Sequence, residues 1–170
     1  KTDATITWYE NDGAADPSFT KSQRYGATAR QYTTAIGDIN GDGNSDLVIA
    51  GDGHFRWAKG VDGELVSAGK LSLYMATAME IDMGDMDGDG DLDIVAPHYV
   101  YDEILLYEND GGADPSWTET YIPSRSHSPD NPTDVHFGDI DGDGDLDIVA
   151  NAKTDATITW YENDGAADPS

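Results

Sequence analysis

Cysteine is absent from this 170-residue chain and positive charge is scarce: 9 basic side chains stand against 34 acidic ones, for a formal net charge of −25. Without cysteine there is no disulfide scaffold, no zinc-thiolate or iron–sulfur centre and no cysteine nucleophile. Without a basic surface there is no route to nucleic acid, whose binding depends on Lys and Arg releasing counterions from phosphate. Anionic membrane is disfavoured by the same repulsion. No apolar run approaches the roughly 20 residues that span a bilayer, so membrane insertion is not expected. Helical patterning is nearly missing as well; residues 70–81 are ambiguous, and their Ser, Thr and β-branched content argues against a helix. The opening Lys1-Thr2-Asp3 does not read as a signal peptide, and the expectation is a mature fragment or an expressed segment. With 38% hydrophobic and 9% aromatic residues, the chain still has the means to build a core.

What the chain has is repetition. Three segments share one pattern: Asp38-Ile-Asn-Gly-Asp-Gly-Asn-Ser-Asp46, Asp85-Met-Asp-Gly-Asp-Gly-Asp-Leu-Asp93 and Asp139-Ile-Asp-Gly-Asp-Gly-Asp-Leu-Asp147. An apolar or aromatic stretch follows each: Phe55-Arg-Trp57, Ile104-Leu-Leu-Tyr107 and Ile158-Thr-Trp-Tyr161. The same marker opens the chain as Ile6-Thr-Trp-Tyr9. A period of roughly 50 residues points to a repeat architecture. In the middle unit, Glu80–Asp85 leads into the acidic loop and Leu92–Ala96 leaves it, the latter reading as a strand covered on both faces. Asp102–Glu108 and Trp117–Ile122 supply two more strands, joined by Asn109-Asp-Gly-Gly112, which reads as a tight hairpin turn. Four short antiparallel strands at this spacing suggest propeller blades, and the fold class is all-β. The expected division is 1–27, the last two strands of a blade; 28–78 and 79–124, two complete blades; and 125–170, a partial blade. Trp8, Trp57, Trp117 and Trp160 recur at strand positions and are expected to pack between blades.

Residues 153–170 repeat residues 1–18 without a change. Two origins stay open: a longer array whose period is a three-blade unit of 152 residues, or a strand duplicated by design. Thirteen strands fall short of the roughly four blades of four that a closed propeller needs, so the chain is not expected to close alone. Unpaired blade edges invite self-association, as a ring or as an open fibre.

The acidic loops carry the chemistry. Aspartates at alternating positions repel one another unless a cation sits between them, and the glycines at positions 4 and 6 let the loop curl so that the carboxylates converge. Hard oxygen donors in that number favour Ca²⁺. In the middle loop the expected ligands are Asp85, Asp87, Asp89 and Asp93 with the carbonyl of Asp91; in the last loop, Asp139, Asp141, Asp143 and Asp147 with the carbonyl of Asp145. The first loop offers Asp38, Asn40, Asp42 and Asp46 with the carbonyl of Asn44, and with one carboxylate fewer at position 3 it should be the weakest of three sites. The loops hold 13 of the 34 acidic side chains, so much of the charge excess is accounted for by cation sites.

Position 12 holds Ile49, Ala96 and Ala150 where an EF-hand has Glu, and the flanks are strand-like. The pattern instead resembles the FG-GAP and VCBS repeats of integrin α-subunit propellers and many secreted bacterial proteins. Phe137-Gly138 before the loop, Asp139–Ile148 through it and Ile158-Thr-Trp-Tyr-Glu-Asn-Asp-Gly165 after it carry the likeness. The resemblance implies a Ca²⁺-binding loop between the first two strands of each blade and an extracellular or cell-surface setting. It does not transfer one activity, since the family includes adhesins, lectin-like propellers and accessory domains of enzymes.

Ligand contacts, if the chain makes them, are expected at the end opposite the metal loops. His98, Tyr99 and Tyr101 lie in the connection between the second and third strands of the middle blade, and Arg125 and His127 in the crossover that follows it; they offer aromatic faces and donors for a sugar or a partner peptide. His54, His98, His127 and His136 have no metal-ligand spacing, and no nucleophile elbow, phosphate loop or zinc-hydrolase motif occurs. The expectation is a non-catalytic, calcium-stabilised structural or adhesive module. A lectin-like propeller and an accessory domain of a secreted enzyme are the alternatives.

Overall fold

The computed structural model describes residues 4–27, 31–51, 54–70, 80–122, 130–154 and 156–165. Among them are thirteen strands: β1 Ala4–Asn11, β2 Phe19–Ala27, β3 Gln31–Gly37, β4 Asp46–Gly51, β5 His54–Val61, β6 Glu64–Lys70, β7 Asp82–Gly84, β8 Asp93–His98, β9 Glu103–Asn109, β10 Trp117–Ile122, β11 Pro132–Gly138, β12 Asp147–Ala152 and β13 Ile158–Tyr161. They pair antiparallel in chain order as a hairpin (β1–β2), a first blade (β3–β6), a middle blade (β7–β10) and a last sheet of three strands (β11–β13). The described residues contain no helix. Residues 71–79 of the ambiguous segment lie outside them, as do the expected boundaries near 28, 79 and 125.

Each sheet stacks face to face on the next, which is why the central strands read as continuous apolar runs; β4 and β8 are buried along their whole length. Side-chain parity assigns the two faces. Val48, Ala50, Phe55 and Trp57 of the first blade meet Ile94, Ala96, Leu105 and Tyr107 of the middle blade, with Phe55 and Tyr107 edge to face at 5.4 Å. The opposite parity, Val95, Ile104 and Leu106, meets Val135, Ile148 and Ala150 of the last sheet. Leu47, Ile49 and Ala58, on the remaining face of the first blade, are covered by Ile6 of the hairpin. Removing an aliphatic side chain from water contributes about 1.5–3 kcal/mol, so these three interfaces hold the array together.

Position in the stack decides what a tryptophan does. Trp57 is buried between blades and Trp117 packs at the edge of the same cluster. Trp160, expected to pack between blades, is instead 45% exposed, because the outer face of the last sheet has no neighbouring sheet among the described residues. The hairpin expectation also needs correction. Asn109 ends β9, and the link to β10 is a seven-residue loop closed by Asp110, whose amide meets the carbonyl of Ser116 and whose carboxylate accepts from the amides of Gly112 and Ser116. A two-residue turn stands instead at Asp62-Gly63, where both residues take positive φ as a type I′ turn requires.

Polar staples tie one sheet to the next. The Asn109 side chain donates to the carbonyl of Ile39 in the preceding blade at 2.8 Å and to that of Leu92 in its own loop at 3.2 Å. Asn163 repeats this toward Met86 at 3.0 Å and Leu146 at 3.2 Å. Both residues are buried, so removing the donor strands two carbonyls away from water. Asn11 sits in the same Glu-Asn-Asp-Gly context, yet it is exposed and its carboxamide oxygen accepts from the neighbouring amide of Gly13. In chemical denaturation, Asn109→Ala is expected to cost about 2–4 kcal/mol and Asn11→Ala less than about 0.5 kcal/mol. Equal effects would mean that the staple contributes nothing.

Candidate metal centre

Each acidic loop joins the first two strands of its sheet: β3 to β4, β7 to β8 and β11 to β12. The loops curl through successive side-chain turns. The residue at position 3 accepts from the amide at position 5: Asn40 from Asp42, Asp87 from Asp89 and Asp141 from Asp143, at 3.0–3.1 Å. Position 5 then accepts from position 7: Asp42 from Asn44, Asp89 from Asp91 and Asp143 from Asp145, at 2.9–3.0 Å. Position 1 takes a glycine amide: Asp38 from Gly43, Asp85 from Gly90 and Asp139 from Gly142. Asx residues favour this geometry, and glycine supplies the positive φ that the curl demands.

The curl brings the carboxylates together. Asp85, Asp87 and Asp89 place oxygens within 4.8 Å of one another, as do Asp139, Asp141 and Asp143. One oxygen of Asp85 is buried without a hydrogen-bond partner, an arrangement suited to a cation and costly without one. Asp91, at position 7, is held above its usual range by burial and by the charges of Asp89, Asp85, Asp87 and Asp110; its side chain lies against Gly111. The carboxylate of Asp145 lies against Gly165 in the same way. Three carboxylates, no nitrogen or sulfur donor and unrelieved negative charge fit a hard divalent cation such as Ca²⁺.

The position-9 aspartates, expected as metal ligands, lie outside the carboxylate clusters and have a role that the spacing did not reveal. Asp46, Asp93 and Asp147 are buried at the base of the loop, and each accepts two backbone N–H bonds. One comes from position 2 of the loop, Ile39 at 3.1 Å, Met86 at 2.8 Å or Ile140 at 3.0 Å. The other comes from the end of the third strand or just beyond it, Gly60 at 2.7 Å, Asn109 at 2.9 Å or Asn163 at 3.0 Å. Burial pushes Asp93 up to about 6 in spite of these bonds, and Asp87 and Asp89 add to the rise. Asp46 is raised by burial too. At Asp147 burial is outweighed by the bonds from Asn163, Ile140 and the Trp160 side chain, and its pKa falls.

The first loop differs in a way that its own nine residues do not show. Lys59 reaches it from β5 and sits 2.8 Å from Asp42, and with Asn44 it holds that carboxyl down at about 2. The equivalent residues of the other sheets are Glu108 and Glu162, so aligning the third strands rather than the loops would have found it.

At the opposite end, His98 is buried as the last residue of β8, pushed below its ordinary pKa by burial, with its ring 4.6 Å from that of the exposed Tyr101 and tilted 50° to it. Tyr99 is half-buried and its carbonyl accepts from Asn131. Arg125 and His127 lie outside the described residues.

Four-stranded antiparallel blades stacked in tandem, each with an acidic loop between its first two strands, define a propeller-type repeat array. The family model for the FG-GAP-like repeat matches residues 38–96 and 99–150, which take in all three loops, and the chain belongs to that family. No curated protein matches the chain at a significant level.

Lys59 occupies the first loop with a charge that a metal would have to displace. In a calorimetric titration with Ca²⁺, Lys59→Gln is expected to tighten the first loop, the one expected to bind most weakly, by about fivefold. An unchanged weak site would remove Lys59 from the account.

Proposed function

We propose that this chain is an extracellular, calcium-stabilised β-repeat module with a structural or adhesive role, built to assemble with further copies, and that it is not a catalyst. The observation that carries the reading is the threefold acidic loop, with carboxylates clustered in the middle and last copies, a buried unpartnered oxygen on Asp85 and a raised Asp93, packed against staples that hold neighbouring sheets. FG-GAP repeats are generally non-catalytic structural modules of extracellular or surface proteins and often bind Ca²⁺, which supports the same reading.

Bound at positions 1, 3 and 5, Ca²⁺ would supply the positive charge that the loop lacks. The protein's own groups do the rest. Asp93 and Asp147 hold the start of the loop to the third strand, and the carbonyls of Ile39 and Met86 at loop position 2 receive the Asn109 and Asn163 side chains. A loop fixed by metal is therefore a fixed anchor for the next sheet. Extracellular modules bind Ca²⁺ with dissociation constants of about 10⁻⁴–10⁻³ M. At roughly tenfold saturation each site adds about 1.4 kcal/mol, and three add about 4 kcal/mol. Excess chelator is expected to lower the melting temperature by about 10 °C, reversibly on adding Ca²⁺; an unchanged melting temperature would contradict the structural-calcium reading.

One feature favours a second reading, a lectin-like surface: Tyr101 presents a 58% exposed ring at the end away from the loops, backed by His98. Glycan-array binding lost on Tyr101→Ala without a change in melting temperature would support it; an array blank for the unsubstituted protein would end it.

A further inference from the structure

We propose that this chain docks head to tail on a second copy of itself, the last sheet of one copy seating against the first blade of the next, with the second copy's β1 replacing β13 beside β12. The inference rests on the reading of the chain as an assembling module and names the surface by which it assembles.

The two junctions between complete neighbours inside the chain show the rule. The glycine that ends the first strand of one sheet is a socket for the next sheet. A methyl group at Gly37 would lie 2.5 Å from Leu92 Cδ1 and 3.0 Å from Met83 Cε; one at Gly84 would lie 2.7 Å from Leu146 Cδ1 and 3.0 Å from Phe137 Cδ2. The third socket, Gly138, has nothing within 4 Å. The residue equivalent to Met83 and Phe137, one before the strand-ending glycine, is Ile36 in the first blade, and it is 71% exposed. One socket and one knob of the same kind are left over at opposite ends of the stack.

The apolar faces are left over in the same pairing. Val149 and Trp160 stand opposite each other across β12 and β13, as Val48 and Trp57 do across β4 and β5, where the middle blade covers them. On the last sheet that face is open, with Ile158 78% exposed. At the other end, the hairpin covers the first blade incompletely and leaves a cavity of about 480 Å³ lined by Ile6, Trp8, Ile36, Leu47 and Leu65 among others.

Sequence identity supplies the fit. β13, Ile158–Tyr161, has the residues of Ile6–Tyr9 in β1. β12 pairs with β13 as Val149↔Trp160 and Asn151↔Ile158, so a second copy's β1 can make the same pairs with Trp8 and Ile6. β1 is longer, eight residues against four, and brings β2 with it. The exchange completes a four-stranded blade from β11 and β12 of one copy and β1 and β2 of the other. It lays β11 and β12 over the cavity beside Ile36 and Leu47. A net charge of −25 opposes the approach of two copies, so the junction should form where salt and Ca²⁺ screen it.

Because the chain has no cysteine, the contact can be trapped cleanly. Ile36→Cys and Gly138→Cys chains, mixed in Ca²⁺ and 150 mM NaCl (a Debye length of about 8 Å) and oxidised, are expected to give a mixed disulfide dimer at least tenfold above an Ile36→Cys and Tyr121→Cys control. Sedimentation of the unsubstituted chain under those conditions should show dimers or longer species. Gly138→Leu, at a position open within its own chain, should abolish them with no change in melting temperature, while Trp160→Asp, on the displaced strand, should leave them intact. Assembly without the mixed disulfide, or insensitive to Gly138→Leu, overturns this junction and leaves the assembling module standing. A chain monomeric at every concentration overturns both.

Discussion

A carboxylate buried at the base of each acidic loop is the constraint on which the rest of the structure depends. Asp46, Asp93 and Asp147 join the start of their loop to the end of the third strand, a link that spans 14 or 16 residues of chain. Burying a carboxylate is costly, and two N–H bonds offset only part of the cost at Asp93, whose pKa stays near 6. What the link provides is a rigid corner: the loop, the first two strands and the third strand are fixed relative to one another before any neighbouring sheet is considered.

From that corner the stack follows. The same residue whose amide meets the buried aspartate, Asn109 or Asn163, extends its side chain to the loop of the preceding sheet, so each corner is bolted to the one before it. In the first blade this place is taken by Gly60, where a methyl group would lie 2.2 Å from the Ser45 carbonyl. The first blade therefore keeps the corner and has no such bolt, and among the described residues its upstream face packs its apolar side chains against the hairpin. Apolar faces fill the space between corners, and their parity sets which neighbour each residue meets.

The strands and loops were legible because their signals are local: alternation or continuous apolar character for strands, and Asp and Gly at fixed spacing for the curl that gathers Asp85, Asp87 and Asp89. The contacts between sheets were not. The bond from Asn109 to Ile39 crosses 70 residues, and nothing in Glu108-Asn-Asp-Gly111 distinguishes it from Glu10-Asn-Asp-Gly13, where the asparagine is exposed. Lys59 went unnoticed for a related reason, since it reaches the first loop from a different strand. Trp160 reads like Trp57 and differs in having no sheet packed over it among the described residues. The asparagine turn misled because Asn-Asp-Gly suits a tight hairpin, whereas here Asn109 is spent on the staple and Asp110 closes a wider loop.

On the proposed reading, Ca²⁺ would act on the joints of the array rather than on a separate site: it would quiet the charge of a loop whose position-2 carbonyl and amide are both part of the corner and bolt. Residue-resolved hydrogen exchange in Ca²⁺ and in chelator tests that coupling most directly. The amides of Met86, Asn109 and Ile140, which donate to Asp93 and Asp147, should be strongly protected with Ca²⁺ and lose protection together without it. Protection at these three amides that is the same in both conditions would contradict the account.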